Sequence, residues 1–393
     1  MFYNVNNSNM LTHFYPITSP HIATNNAITT NFRINNIDIS NNFFGLGINS
    51  KIPVSRIINI PYNINGTSIG TLFELNLIKD ISGGTINSDY NIFSPSSPSS
   101  HNGLLIQFYN SNNIYNISFN YNVDISFVMI GGGGGGGDAA NSNAGGGGGA
   151  GQLITGYINY KTGNKLSILN GAGGLNNYVS SPTNPSGGPT YIYYKNSNDE
   201  ILYDISANGG GYGGIGKISS PNVRGSSSGG SGSWSTGEPY AGISTSPGFG
   251  AIQINNIGPF SNLMTYSYTG GVGNRQANDT GGGGGGGGAG GETNWVSNEF
   301  PGVGGSCKTI TYGNYNFYLG GGGGGGGRTG GLGGLGGGGG GGQGGGWSNG
   351  LVNGEWGASN TGSGGGGAGN NGGYGGRGGS GTVIFYIIPS GVS

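Results

Sequence analysis

Short apolar and aromatic stretches, each bounded by Gly, Asn or Pro, recur along the chain from residue 104 onward. β-Branched and aromatic residues dominate most of them, which is typical of β-strands, and few tracts could sustain a helix. The pattern predicts strands in LLIQFY, NIYNISFNY, VDISFVMI, QLITGYINY, NKLSILNGAGG, TYIYYKNSNDEILYDISANGG, KTITYGNYNFYLGG and TVIFYII.

The first hundred residues have a different pattern and little glycine. NFRINNIDIS and VSRIINIPYNINGT alternate apolar and polar residues, as half-buried strands do, and TLFELNLIKD suits either a strand or one short helix. The Ser/Pro-rich segment SPSSPSSHNG at 94–103 is typical of an exposed loop or linker. We therefore expect an N-terminal attachment region at 1–100 and a glycine-rich domain at 101–393.

Pure glycine runs separate the later strands, at 131–137, 281–288, 320–327 and 336–342. FVMI leads directly into Gly131, ISA into Asn208 and FYL into Gly320, and the tract GGRGGSG leads into Thr382. Glycine loses more backbone freedom on ordering than any other residue, so a long run favours disorder unless another interaction compensates. The runs are therefore either flexible linkers or an ordered structure that continues the strands.

Polyglycine can form an extended helix with three residues per turn and a rise of about 3.1 Å per residue, whose backbone groups all point outward. Such rods can hydrogen-bond to one another in a hexagonal array, and any Cβ would hold them apart. Collagen is excluded because the chain has no strict Gly-X-Y period and little proline. We favour ordered rods over linkers, and expect Gly134→Val and Gly324→Val to disrupt packing, but Gly230, in a Ser/Gly loop, to tolerate valine.

These patterns predict a fold that is mainly β with irregular structure, in which short strands flank a packed array of polyglycine II helices and α-helix is almost absent. Aromatic residues make up 11% of the chain and charged residues only 7%, with a formal net charge of −1, which opposes disorder. No basic cluster suits nucleic acid, no apolar run approaches the roughly 18 residues of a membrane span, and the N-terminus lacks signal-peptide features.

Candidate chemistry is sparse. GYGGIGKI at 211–218 has phosphate-loop spacing, but Ile218 stands where a Ser or Thr would hold Mg²⁺. The three histidines are far apart, the carboxylates are scattered, and Cys307 suits a small packed residue. We therefore expect no enzyme activity, no catalytic residue, no cofactor and no metal.

The segments FYNSNNIYNISFNYNVDISFVMIGGGGGGGDAANSNAGGGGGAGQLITGYINYKTGNKLSILNGAGG, GGGGGGGGAGGETN, GGGGGGGRTGGLGGLGGGGGG and GGYGGRGGSGTVIFYII resemble the glycine-rich domain. That domain occurs in phage and giant-virus particle proteins, in phage tail-fibre adhesins and, in a variant form, in some receptor tyrosine kinases. The resemblance covers about 104–388 and implies packed polyglycine II helices beside β-strands.

The resemblance and an Asn/Ile/Tyr bias typical of AT-rich genomes favour a non-enzymatic structural protein of a virus particle, capsid-associated or part of a fibre or appendage. The expected location is the virion, assembled in the host cytoplasm. The expected partners are other virion proteins bound through the N-terminal region, in a homo- or hetero-oligomeric assembly, without nucleic acid or a membrane span.

A receptor-binding adhesin is the alternative function. Rods carry no side chains, so recognition would use aromatic residues in loops between them, where Trp and Tyr commonly anchor interfaces. The same rings could instead cover the ends of the glycine array. Candidate partner-binding residues are Trp234, Tyr240, Trp295, Phe300, Trp347 and Trp356.

Overall fold

β-Strands are the only regular secondary structure in the part of the chain described by the structure, a computed structural model. The prediction of a mainly β fold with almost no α-helix is confirmed for these residues. They comprise 77–85, 89–93, 103–139, 144–176, 186–215, 227–230, 232, 256–271, 273, 283, 285–291, 301–327, 336–338, 340–346, 353–369 and 372–388, together with strand backbone between 33 and 75, at 249–253 and at 389.

The chain divides into two units, Met1–Lys79 and Asp80–Ser393. The change of composition near residue 100 lies inside the second unit. In the first unit β1 pairs with β2, β3 with β6 and β4 with β5, all antiparallel. TLFELNLIKD, which suited a strand or a helix, forms β6 and the start of β7. The strands up to that point are β1 (Arg33–Ile34), β2 (Ile37–Asp38), β3 (Arg56–Ile60), β4 (Asn63–Ile64), β5 (Thr67–Ser68), β6 (Thr71–Leu75) and β7 (Ile78–Ser82).

The second unit contains the strands predicted after residue 103, together with three that the pattern did not single out, β8, β16 and β17. Their bounds are β8 (Tyr90–Phe93), β9 (Leu104–Phe108), β10 (Ile114–Phe119), β11 (Val123–Ile130), β12 (Leu153–Tyr160), β13 (Lys165–Leu169), β14 (Thr190–Lys195), β15 (Ile201–Ala207), β16 (Phe249–Gln253), β17 (Phe260–Tyr268), β18 (Lys308–Tyr312), β19 (Tyr315–Leu319) and β20 (Thr382–Pro389).

Two large sheets pack face to face. One has five strands in the order β15-β14-β13-β10-β7, and the other has seven in the order β16-β17-β12-β11-β20-β9-β8. Aromatic rings meet between them: Phe108 lies 5.2 Å from Tyr115, and Phe119 lies 4.9 Å from Tyr160, measured between ring centroids. All four side chains are fully buried. This interior is the main hydrophobic core, because buried aromatic rings remove large apolar areas from water.

The hairpin of β18 and β19 covers the opposite face of the seven-stranded sheet. The ring of Tyr312 stacks on that of Tyr386 with centroids 5.5 Å apart, and its hydroxyl is hydrogen-bonded to Ser126 Oγ at 3.0 Å. Below the hairpin, Ile130 and Leu319 belong to one buried apolar cluster. Both residues are the last of a strand that runs into glycine, so this cluster lies where the sheet gives way to the glycine-rich segments.

Those glycine-rich segments are extended and hydrogen-bonded to one another with a period of three residues. The N–H groups of Gly131, Gly134 and Gly137 donate to the carbonyls of residues 152, 149 and 146 in turn. A partner that shifts by three when the donor shifts by three is what a rod with three residues per turn requires. We call these segments rods and name each by its residue range.

Rod 144–151 is surrounded by other rods. Its backbone exchanges hydrogen bonds with segments on six sides, which are 131–137, 208–214, 227–230, 285–288, 320–327 and 362–369. Six neighbours around one rod is the arrangement of a hexagonal array. A Cβ built on Gly148 would overlap the carbonyl oxygen of Gly134, and one on Gly147 would overlap that of Gly323. Close backbone contact therefore explains why these positions are glycine.

Gly230 belongs to the same array, so the prediction that it lies in a tolerant loop is wrong. Its N–H donates to Gly147 O at 2.8 Å, and its own carbonyl accepts from Gly214 N at 2.8 Å. The neighbouring serines take part as well, because Ser227 and Ser228 are fully buried and their hydroxyls accept from Tyr268 N and Gly270 N. A Ser/Gly composition can therefore form part of a rod.

Candidate functional site

Two neighbouring rods carry side chains at every third residue. Rods 353–358 and 373–381 run parallel, since Gly354 N donates to Tyr374 O and Gly357 N to Arg377 O, both at 2.8 Å. A spacing of three brings residues to the same side of a three-fold helix. The first row is Asn353 and Trp356, and the second is Tyr374, Arg377 and Ser380. We call these two rows the ladder.

Rod 373–381 has three residues per turn and therefore three sides, and only one of these sides has room for side chains. A Cβ on Gly375 or Gly378 would overlap a carbonyl oxygen of rod 131–137, and a Cβ on Gly376 or Gly379 would overlap one of rod 353–358. The remaining side carries the side chains of the ladder, and Arg377 on that side is exposed. The ladder is therefore an outer surface of the array.

Trp356 and Arg377 form the central contact of the ladder. The guanidinium carbon of Arg377 lies 5.2 Å from the centroid of the Trp356 ring, within the range of a cation–π interaction. Trp356 is nevertheless 69% exposed, so this contact leaves most of its side chain open to solvent. The pair presents an aromatic surface beside a positive charge.

Hydrogen bonds hold the ladder on either side of this pair. Asn353 Oδ1 accepts from Tyr374 N at 2.8 Å. At the other end Ser380 Oγ accepts from Asn360 N at 3.0 Å and donates to Asn360 Oδ1 at 2.9 Å. Fixed side chains on fixed backbone make this a preorganised surface.

Of the six residues predicted as partner-binding, the described part of the chain contains one. Trp356 is exposed, and it lies in a rod rather than in a connecting loop. Trp234, Tyr240, Trp295, Phe300 and Trp347 lie outside the described residues. Sequence reasoning did not single out Tyr374 and Arg377, although YGGRGGS already shows the three-residue spacing that places them in one row.

Three backbone donors at the start of the near-match to a phosphate loop are already occupied within the array. The N–H groups of Gly211, Gly213 and Gly214 donate to carbonyls of residues 227, 135 and 230. Burial raises the pKa of the Cys307 thiol, which reduces its thiolate fraction. Among the described residues there is no group of three His, Cys, Asp or Glu that could hold a metal ion. Nor does this part of the chain contain a helix long and apolar enough to cross a membrane.

Asp138, just after rod 131–137, is a buried carboxylate inside the array. Its Oδ1 accepts from Gly375 N at 2.7 Å and from Asn176 Nδ2 at 3.4 Å, whereas its Oδ2 has no hydrogen-bond partner. Desolvation raises the pKa of Asp138, and the two hydrogen bonds oppose this in part. The ionised form is therefore disfavoured in the folded protein relative to the unfolded chain.

Replacing Asp138 by asparagine is expected to stabilise the protein at pH 8, by about 1 kcal/mol or more, because a buried charge with an unpartnered oxygen is removed. A folded-state pKa raised above the unfolded value gives stability that is present at low pH and lost as pH rises through the raised pKa. The advantage of Asp138→Asn should therefore grow from pH 4 to pH 8 in thermal melts.

Asp199→Asn is the matched control for this pH dependence. A hydrogen bond from Lys165 lowers the pKa of Asp199, which is exposed, so its contribution is lost as pH falls. This variant should show no gain at pH 8. An Asp138→Asn advantage that is constant across the pH range would contradict the proposed titration of the buried carboxyl.

The chain was compared with known families and with curated proteins. No curated protein matches it. A family model described as a glycine-rich domain matches residues 110–387. The match begins just before β10 and ends in β20, so it takes in the rods, the ladder and the strands that lead into them. The chain therefore belongs to the glycine-rich domain family.

Proposed function

We propose that the chain is a non-enzymatic structural protein of a virus particle, associated with the capsid or part of a fibre or appendage. The observation that carries the proposal is the array around rod 144–151, in which backbone hydrogen bonds join one rod to six others. Glycines such as Gly134 are bonded to two different rods at once in this array. An arrangement of this kind suits a stiff module better than a catalyst that must open and close.

The low charge of the chain also suits an assembled component. Charged residues make up 7% of the sequence, so little electrostatic repulsion opposes close packing of many copies. In this proposal the N-terminal region docks to other virion proteins, in a homo- or hetero-oligomeric assembly that forms in the host cytoplasm. The glycine-rich domain is then the rigid outer or interface module.

Mass spectrometry of purified particles tests the structural role. We expect the chain among the particle proteins at a stoichiometry that stays constant through successive gradient purifications. Treatment of intact particles with protease should release peptides of the glycine-rich domain before peptides of residues 1–100, if the N-terminal region is the docking part. Abundant free chain in infected cells together with its absence from particles would refute the proposal.

A receptor-binding adhesin is the second candidate, and the exposure of Trp356 favours it. A tryptophan that is 69% exposed contributes little to folding, yet it is the residue type most often found to anchor a partner. Trp356→Ala should therefore leave the melting temperature nearly unchanged. If the chain is an adhesin that uses this residue, particles carrying the variant should lose attachment to host cells.

A further inference from the structure

We propose that the ladder is a binding site for an acidic oligosaccharide, one sugar ring of which stacks on the exposed face of Trp356 while the carboxylate of a neighbouring unit pairs with Arg377. This proposal rests on the adhesin alternative and names the chemistry of the ligand. It also places the site on the side of a rod rather than in a loop.

The ladder surface cannot be where the array adds another rod. Rods pack only where no Cβ intervenes, and here side chains stand at each third residue of both rows. A second copy of the array therefore cannot continue across this surface by backbone hydrogen bonds. The surface must either stay in water or take a ligand that contacts side chains.

Trp356 has the geometry of a stacking platform. The indole ring is an aromatic face with negative potential, which attracts the weakly positive C–H groups on one side of a sugar ring. Arg377 lies within cation–π distance of the indole, and this contact favours one orientation of the ring. The exposed ring is thus already in place, and binding costs little further ordering of the side chain.

Arg377 provides the complementary charge. Within the described part of the chain the ion pair is Lys165 with Asp199, so the guanidinium of Arg377 is not neutralised by a carboxylate there. A guanidinium beside an indole keeps N–H donors available, and these suit a carboxylate in bidentate geometry. Glu355, the adjacent carboxylate, is a third of a turn away from Trp356 on its rod.

The spacing of the ladder suits a chain of sugars. Within each row, side chains at every third residue are about 9 Å apart along the rod. Tyr374, which is 51% exposed, stands one step along the neighbouring row from Arg377 and so lies diagonally from Trp356. Two exposed aromatic rings on parallel rods can contact two separate, non-adjacent sugar units of one extended oligosaccharide.

Other ligand classes fit less well. A single-stranded nucleic acid also stacks on aromatic rings, but it needs several cations to follow its phosphates, and the ladder contains one. A protein partner favours a contiguous apolar centre shielded from water. In the ladder, Asn353 and Arg377 occupy the two positions beside the diagonal pair Trp356 and Tyr374, so the rings form no contiguous apolar centre. An acidic oligosaccharide combines apolar sugar faces with carboxylates along one chain.

Calorimetric titration of the full chain tests the proposal with two probes of equal length, an oligosaccharide containing hexuronic acid and its neutral hexose counterpart. We expect saturable binding of the acidic probe and weaker binding of the neutral one. Trp356→Ala should raise the Kd for the acidic probe about tenfold or more. Arg377→Gln should abolish the preference for the acidic probe.

Tyr318→Ala is the matched control, since Tyr318 is an aromatic residue of similar exposure on β19, outside the ladder. It should leave both Kd values unchanged. The proposal would be overturned if the chain bound neither probe, or if the wild type and Trp356→Ala had equal Kd values for the acidic probe. If particles with Trp356→Ala lose attachment while the purified chain binds neither probe, the carbohydrate is refuted and the adhesin role stands. If the purified chain binds the acidic probe as expected but particles with Trp356→Ala attach normally, the carbohydrate site is supported and the adhesin role is refuted.

Discussion

Replacing Gly134 by valine is expected to lower the free energy of unfolding by about 3 kcal/mol or more, the range of severe overpacking combined with lost hydrogen bonds. A Cβ at this position would overlap the carbonyl oxygen of Gly211. The backbone of Gly134 is also bonded on two sides, because its N–H donates to Gly149 O and its carbonyl accepts from Gly365 N. Any shift that relieves the overlap breaks at least one of these bonds.

Gly338→Val is the matched control for this experiment. Gly338 is exposed, and a Cβ on it would meet only Cys307 Sγ, at 3.9 Å. Its melting temperature should stay close to that of the wild type, whereas Gly134→Val and Gly324→Val should melt well below it. Gly230→Val should now group with the destabilised variants. Equal melting temperatures for Gly134→Val and Gly338→Val would show that the rods contribute nothing to stability.

The strands could be predicted from sequence because side chains define them. VDISFVMI forms β11 and TVIFYII forms most of β20, and the residues that face the other sheet in each strand are buried. The points where strands run into glycine could also be predicted from sequence, since Ile130, Ala207 and Leu319 each end a strand directly before a rod. Apolar periodicity and abrupt composition changes carry this information within a few neighbouring residues.

β17 was missed because its sequence does not look like a strand. FSNLMTYSY contains Asn, Ser and Met, and its pattern shifts where a bulge lies in its pairing with β12, between Thr155 and Tyr157. Phe260 and Leu263 are both fully buried although they are three residues apart. A bulge changes which residues face inward, so strict alternation is lost along the strand.

The neighbours of each rod could not be predicted. Glycine has no side chain to specify a partner, so which rods become adjacent depends on where the flanking strands end. For this reason the sequence did not indicate that Gly230 lies in a rod, or that Trp356 lies in a rod rather than in a loop. Its contact with Arg377, a residue far along the chain, exists only because rods 353–358 and 373–381 lie side by side.

Replacing Phe385 by alanine is expected to unfold the sheets and the rods together, with a loss of about 3–5 kcal/mol. Phe385 is fully buried, its ring lies 5.6 Å from that of Phe108, and it pairs in register with Phe127 on β11. β11 leads directly into rod 131–137, and β20 begins directly after rod 373–381. A rod of glycine has no apolar side chains to bury, so its order depends on the strands that fix its ends.

Hydrogen exchange followed by mass spectrometry measures this dependence. In Phe385→Ala, peptides from rod 131–137 and from β11 should lose protection to the same extent, because one opening exposes both. Tyr318→Ala, which removes an exposed ring from β19, should leave both sets of peptides protected. The rod array is independently stable if rod peptides of Phe385→Ala stay protected while strand peptides exchange. If only the rod peptides lost protection, the hydrogen bonds between glycines would be the weakest in the protein. The sheets would then be a stable scaffold that orders a rod array of low stability.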